Sequence, residues 1–306
     1  MGRLIITGAG GFLGCNVVKG VLEEGFFDEV IAITLGADQM KNRFQEGDRL
    51  KIFEADAISI GAVKLQESDV ILNCAYPRAM KGADVTLGLD YVESVFQSAA
   101  NAHVKGIMNI SSQSVYDPQR KDPATEADIP VLTDEYAVGK YCMEMLLRDV
   151  CKDIPYTNIR LASLIGPGFD VRVPNKMVKN AFEKHVISVV KNDQHFGYLD
   201  IEDAVCGLTK LLRIEPKQWK KVYNLGGSRT YSLVEIAQCI ISQMENKCDT
   251  NVSMDILDMK DGAARLNSSL VDRVLRDDIG DYIFNTLDES IQKIIDHYLD
   301  THAKEA

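Results

Sequence analysis

Residues 7–14 of the chain read Thr-Gly-Ala-Gly-Gly-Phe-Leu-Gly, directly behind the apolar run Leu4-Ile5-Ile6. A strand, a glycine-rich turn and a helix start are thereby compressed into the first fifteen residues. Gly8 permits the tight turn off the strand, Gly11 lets backbone pass close to a pyrophosphate, and Gly14 lets the new helix lie against the sheet. The helix start offers free N–H groups and the positive end of its dipole, which suits phosphate. Residues 15–24 continue as an amphipathic helix closed by Gly25. The pattern predicts a βα turn that binds a dinucleotide rather than a purely structural one.

Strand-like runs at 4–7, 30–34, 51–53, 70–73 and 106–110 alternate with helical periodicity, clearest at 91–100 and 136–150. Repeated βα units imply a parallel sheet covered on both faces, with ligands beyond the carboxyl ends of the strands. The expected fold class is α/β: a Rossmann-type doubly wound parallel sheet with a smaller, interleaved C-terminal substrate domain. Residues 1–165, rejoined at about 200–225, make the dinucleotide-binding domain, and about 166–199 with 226–306 make the smaller one. After a strand at 155–161, Gly166-Pro167-Gly168 signals a loop. Residues 169–200 read as irregular with one helix at 175–184. A helix at 201–212 and a strand at 223–225 follow. Ser232 and Glu235 form a capping box for a helix over 233–244, and 287–298 is a last amphipathic helix.

The net charge of −11, spread along the chain, argues against a general nucleic-acid binder. No long apolar span implies a membrane segment, and Arg3 leads only into a short strand, unlike a signal peptide. Seven cysteines (15, 74, 142, 151, 206, 239, 248) show neither a CxxC pair nor zinc spacing, so reduced thiols in a cytoplasm are expected, with no metal.

Tyr136 and Lys140 stand one helical turn apart on one face. An ammonium beside a phenol favours the phenolate, which can exchange a proton with a substrate hydroxyl. Alone, this spacing is equally a surface pair. Twenty-four residues upstream of Tyr136, at the end of the strand at 106–110, stands Ser112 in Ser111-Ser112-Gln113-Ser114-Val115-Tyr116. A hydroxyl there can hydrogen-bond the same substrate oxygen. The glycine turn, the strand-end serine and the Tyr-x-x-x-Lys, in that order, turn the pair into a catalytic candidate.

With these motifs the chain resembles the extended short-chain dehydrogenase/reductases of the NAD-dependent epimerase/dehydratase family. Residues 7–14 match TGxxGxxG, Ser112 precedes Tyr116 as in S-S-x-x-V-Y, and Tyr136 and Lys140 match YxxxK. Residues 160–167 resemble L-R-x-x-N-x-Y-G-P, and Tyr223-Asn224-Leu225-Gly226 resembles Y-N-L-G. The resemblance implies that Tyr136 is the acid/base, that Lys140 holds the nicotinamide ribose, and that Ser112 orients the reacting oxygen. It implies a cofactor contact surface of Gly8, Gly10, Gly11, Phe12, Leu13, Gly14, Thr34, Asp56, Ala57, Asn73, Cys74 and Ala75 besides Tyr136 and Lys140, with Asp56 at the adenine. Arg78, Ser163, Arg172 and His195 are the candidate substrate contacts, and Lys81 and Arg229 are further cations suited to phosphate. In the family, two helices corresponding to 91–102 and 136–150 often form the four-helix bundle of a homodimer. Val92, Val95, Phe96, Met143 and Leu147 permit that here, and burial inside one chain explains them equally.

Four departures shape the functional reading. Thr34 closes the second strand where NAD-preferring relatives place an acid, and Lys41 and Arg43 follow, which tilts the expected cofactor from NAD to NADP. Gln113-Ser114 replace the acid pair of 4,6-dehydratases, which disfavours dehydration. Phe196 stands where an arginine clamps the nucleotide diphosphate, with only His195 beside it. Residues 89–93 lack the usual asparagine and glycine. The leading reading is an NAD(P)-dependent epimerase or oxidoreductase acting on a nucleotide-sugar. The alternatives are an NADPH-dependent carbonyl reductase on a non-nucleotide substrate and, less favoured, a dinucleotide-binding regulator without turnover.

Overall fold

The computed structural model describes residues 2–76, 85–248, 251–257 and 266–302. The first half alternates β1 (Arg3–Thr7), α1 (Phe12–Glu24), β2 (Glu29–Thr34), a single-turn α2 (Ala37–Lys41), β3 (Leu50–Glu54), β4 (Val70–Asn73), α3 (Val85–Asn101), β5 (Gly106–Ser112), α4 (Glu135–Val150) and β6 (Tyr156–Leu161). Then come β7 (Ser163–Ile165), α5 (Val173–Lys184), β8 (Val186–Val190), β9 (Gln194–His195), β10 (Tyr198–Asp200), α6 (Ile201–Leu212) and β11 (Val222–Leu225). The chain closes with α7 (Leu233–Cys248), β12 (Ser253–Leu257), β13 (Leu266–Asn267), α8 (Arg273–Ile279) and α9 (Leu287–His302).

Seven strands form one parallel sheet in the order β11-β6-β5-β4-β1-β2-β3. The order reverses between β1 and β4, and such a switch point opens a crevice at the carboxyl ends of the strands. Alternation along each strand feeds two apolar layers. Leu4, Ile6, Val30, Leu72 and Met108 pack on α1 and α6. Ile5, Ile31, Ile71 and Ile107 pack on α3 and α4 through Val92, Val95, Phe96, Met143 and Leu147. Those five helix residues are buried within this chain, so they are not a free bundle surface. A third apolar layer joins Met177 and Val178 of α5, Ile187 and Val189 of β8, Ile236 and Ile240 of α7, and Ile291 and Ile294 of α9.

Two local expectations change. The segment at 169–200 is not irregular beyond its helix, because β8, β9 and β10 lie within it. Each is short and pairs with a remote strand: β8 with β12, β9 with β13, β10 with β7. Strands of two to five residues carry too little alternation to be read locally. The strand expected at 106–110 runs on to Ser112. The capping box forms as read: the Ser232 N–H donates to Glu235 Oε2 at 2.7 Å, and the Glu235 N–H donates to Ser232 Oγ at 3.2 Å.

At the start of α6, Asp203 is buried and accepts hydrogen bonds at 2.8 Å from the Asn285 N–H and from Asn285 Nδ2. Burial pushes its carboxyl up to about 6; the Asn285 backbone hydrogen bond opposes the shift and the charge of Asp200 adds to it. A folded-state value above the unfolded one, about 3.9, means that the native state binds this proton more tightly. The stabilising contribution is complete below about pH 4 and disappears as pH rises through about 6. Relative to Asp203→Asn, the wild-type protein is expected to gain on the order of 1 kcal/mol of stability between pH 7.5 and pH 5. Urea unfolding at the two pH values measures it, and parallel curves for both proteins would contradict it.

Candidate active site

The sheet face beneath α3 and α4 changes character halfway along its strands. Ile5, Ile71, Ile107 and Tyr156 make its apolar half. Two residues further on stand Thr7, Asn73, Asn109 and Asn158, in register across four neighbouring strands. Buried polar groups must find partners, and these find one another. Thr7 Oγ1 donates to Asn73 Oδ1 at 2.6 Å. Asn73 Nδ2 donates to Asn109 Oδ1, and Asn109 Nδ2 to Asn158 Oδ1, both at 2.8 Å. Asn73 is thus held inside the sheet by its side chain, while Cys74 and Ala75 continue to the rim.

Helix α4 matches the change. Asp134 caps it, accepting from the Ala137 N–H at 2.7 Å. Met143 and Leu147 cover the apolar half of the face, while Tyr136, Lys140 and Glu144 follow one another at single-turn spacing. Lys140 is buried, and its Nζ donates to the Ile110 carbonyl at 2.7 Å, which brings the ammonium to the carboxyl end of β5. Ser112, two residues on, ends that strand. Its Oγ accepts from the Ser114 N–H at 3.1 Å and so caps a short 3-10 turn over Gln113–Val115. Burial pushes the Cys74 thiol at the β4 end up to about 12, against the opposing effect of the nearby Lys140 charge. A protonated thiol is an inert wall.

Tyr76 lies between these groups. Its ring meets the Tyr136 ring edge-on, with centroids 5.1 Å apart. Lys140 Nζ sits 4.6 Å from the centre of the Tyr76 ring, in cation–π range. Any side chain at position 139 would collide with the Tyr76 hydroxyl, so Gly139 makes room for it.

Behind α4 the polar half continues into a buried network. Arg160 Nε and Nη2 grip Glu144 at 3.0 and 2.8 Å. Ser111 Oγ donates to Glu144 Oε1 at 2.5 Å. Arg160 Nη1 donates to the Tyr116 hydroxyl, which in turn donates to Asn224 Oδ1 at 2.8 Å. Burial alone would lower the Arg160 guanidinium, but its hydrogen bond and attraction to Glu144 outweigh that and leave it raised.

The glycine turn occupies the switch point. Gly8 has φ +69°, and a Cβ there would fall 2.6 Å from the Ala75 nitrogen. A Cβ on Gly10 would strike Thr34 Oγ1, and one on Gly14 would strike the Gly8 carbonyl. Gly11 ends the turn and caps α1, so the N–H groups of residues 12 and 13 have no acceptor within the helix. This narrow, glycine-rich cradle at a helix start fits a pyrophosphate. Ala57 is buried beside Asp56, which is exposed at the rim past β3.

Phe12, inside the turn, stacks on Phe169 at 4.0 Å, and the Arg172 guanidinium lies 5.1 Å from the centre of the Phe169 ring. Burial raises the Tyr198 phenol while the Arg172 charge opposes it, so these two are neighbours. Ser163 pairs in register with Tyr198. Phe196 stacks on Tyr198 at 6.0 Å and exchanges backbone hydrogen bonds with Tyr231, leaving His195 exposed on β9. Arg78 and Lys81 lie outside the described residues.

The structure therefore brings Tyr136 and Lys140 to Tyr76 past the end of β4 and ties Lys140 to the end of β5, the strand that Ser112 closes, and it groups Ser163 and Arg172 around Phe169 and Tyr198. The sequence singles out neither Tyr76 nor Glu144, and it marks Arg160 only as part of the segment at 160–167. Glu144 had a local signal, its four-residue spacing from Lys140; Tyr76 had none.

A Rossmann order with a glycine cradle at its switch point and a Tyr-x-x-x-Lys helix beside it defines a dinucleotide-dependent enzyme class. The chain belongs to the NAD dependent epimerase/dehydratase family, whose model matches residues 4–226. It is 23% identical to human UDP-glucose 4-epimerase over 288 aligned residues, covering 78% of this chain and 81% of that one. A UDP-glucose 4-epimerase of Bacillus subtilis is 24% identical over 77% of this chain and 80% of its own. Among solved structures, dTDP-glucose 4,6-dehydratase from Streptomyces venezuelae, with NAD and TYD bound, superposes with a TM-score of 0.83 at 17% identity, covering 99% of this chain and 98% of that one. UDP-glucuronic acid 4-epimerase from Bacillus cereus, in complex with UDP-glucuronic acid and NAD, gives 0.79 at 16%, covering 98% and 99%. The protein is thus an enzyme that uses NAD or NADP; the tilt toward NADP finds no support in these neighbours, which were solved with NAD. Among the described residues no helix is long and apolar enough to cross a membrane, and Cys15, Cys74, Cys142, Cys151, Cys206 and Cys239 are free thiols.

Proposed function

We propose that the protein is an epimerase or oxidoreductase acting on a nucleotide-sugar at a carbinol carbon, with Tyr136 as acid/base. The observation that carries this reading is the attachment of Lys140 to the Ile110 carbonyl, which seats the Tyr136 face of α4 against the strand end that bears Ser112. When bound, the dinucleotide supplies the hydride chemistry. The chain's own groups handle the proton. Tyr136 takes it from the substrate hydroxyl and returns it, and Ser112 holds the oxygen in line, with Lys140 fixed to the Ile110 carbonyl one turn further along α4. The substrate side is built from the described parts of about 166–199 and 226–306, where Arg172 and His195 receive the nucleotide-sugar together with Ser163 at the edge of the dinucleotide-binding part. Relatives named as UDP-glucose 4-epimerases support the substrate class.

Gln113 and Ser114 cannot replace a catalytic acid and base, so epimerisation is preferred over dehydration. The test is incubation with catalytic NAD and a panel of UDP- and dTDP-hexoses. An epimerase interconverts two sugar nucleotides, separable by ion-exchange chromatography, with no lasting absorbance change at 340 nm. Stoichiometric consumption of NADPH with a non-nucleotide carbonyl compound would instead establish the reductase reading, which the apolar Phe196 favours.

A further inference from the structure

The acid expected at the end of β2 is missing, but an acid is present at that rim. Thr34 pairs in register with Glu54, the last residue of the edge strand β3. Neighbouring residues of a parallel pair point to the same side of the sheet. The Glu54 carboxylate reaches across the end of β2, where Oε1 accepts the Ala37 N–H at 3.0 Å. Thr34 is itself buried and lies under Gly10, so the turn that carries a dinucleotide passes directly over the end of β2, beside which Glu54 ends β3. In a Rossmann site the adenosine ribose lies at that rim, and a carboxylate accepts from its 2′-hydroxyl.

The neighbouring cations do not cancel the Glu54 charge. Lys41 is paired with Glu46 at 3.4 Å, and Glu46 Oε1 also accepts the Ile52 N–H. Arg43 is turned toward Cys15 Sγ, 3.9 Å away on α1. A 2′-phosphate at the rim would meet a fixed carboxylate, whereas a 2′-hydroxyl would meet an acceptor.

We propose that Glu54, carried on β3 in place of the missing β2 acid, is the residue that selects NAD over NADP. The proposal rests on the dinucleotide reading of the glycine turn and is independent of the roles of Ser112 and Tyr136. Isothermal titration of the full chain with NAD and with NADP tests it, on wild type, Glu54→Gln, Glu46→Gln and Arg43→Ala. Wild type is expected to bind NAD at least about tenfold more tightly, the worth of one charge-assisted hydrogen bond. Glu54→Gln should shrink that ratio by about tenfold, mostly through tighter NADP binding, while Glu46→Gln should leave it within about twofold. Glu54 is exposed, so its amide variant should melt with the wild type. An unmoved ratio in Glu54→Gln overturns the proposal and leaves the cofactor reading standing. A wild-type preference for NADP that Arg43→Ala abolishes also overturns it. Binding of neither nucleotide overturns the proposal and the cofactor reading together.

Discussion

Tyr136→Phe is expected to lower turnover of a sugar nucleotide by about a hundredfold to ten-thousandfold, the range for loss of a placed proton-transfer group. NAD affinity and melting temperature should stay close to wild type. The reasons are geometric. Tyr136 is half-buried at the start of α4, and its ring contacts the Tyr76 ring edge-on. Phenylalanine keeps that ring and that contact and removes only the hydroxyl. Asp134 still caps the helix, and Lys140 still reaches the Ile110 carbonyl. A loss confined to kcat, with KM nearly unchanged, marks an interaction made in the transition state. Turnover within about tenfold of wild type would remove Tyr136 from the chemistry. Comparable losses of stability and of NAD affinity would instead mark it as a structural residue.

The parts of this site legible in the sequence are those whose reasons are local. The glycine turn is required by contacts among Gly8, Gly10, Gly14, Thr34 and Ala75, and a strand before it and a helix after it already announce it. Tyr136 and Lys140 share a helix face by spacing alone. The Thr7, Asn73, Asn109 and Asn158 ladder was less visible, although each of those strands turns polar two residues after an apolar inward residue. A polar residue near a strand end is common, and only the strand order shows that these four meet. Tyr76 was hidden for the same reason: nothing in its neighbourhood announces that Gly139, sixty-three positions away, leaves room for its hydroxyl. The short strands β8, β9 and β10 exist through partners far along the chain, so local periodicity missed them. Val92, Phe96 and Met143 were readable as apolar but not as facing the sheet rather than a second copy; burial decides that.

Removing Glu144 has the largest expected effect on stability. Glu144→Ala leaves the Arg160 guanidinium buried opposite no charge, with side-chain exposures of 6% for Arg160 and 2% for Glu144 in the intact pair. Breaking such a pair from one side costs about 3–5 kcal/mol, because the remaining ion keeps its desolvation penalty and loses its partner. Ser111 Oγ loses its acceptor as well. On a chain of this size the melting temperature should fall by roughly 5–10 °C. Arg160→Met in the same background removes the stranded charge and should recover part of the loss, since apolar replacements of whole buried pairs are often tolerated. Recovery will be incomplete, because Tyr116 loses the donor at Arg160 Nη1 while keeping Asn224. The double-mutant cycle reads the pair directly: a loss in Glu144→Ala that Arg160→Met simply adds to would mean that the two residues act separately. The same cycle bears on catalysis, because Glu144 lies one turn beyond Lys140 on α4 and ties that helix to β6. A loosened α4 shifts Lys140 and Tyr136 relative to Ser112, so the double variant, though refolded, should remain slower than wild type in kcat.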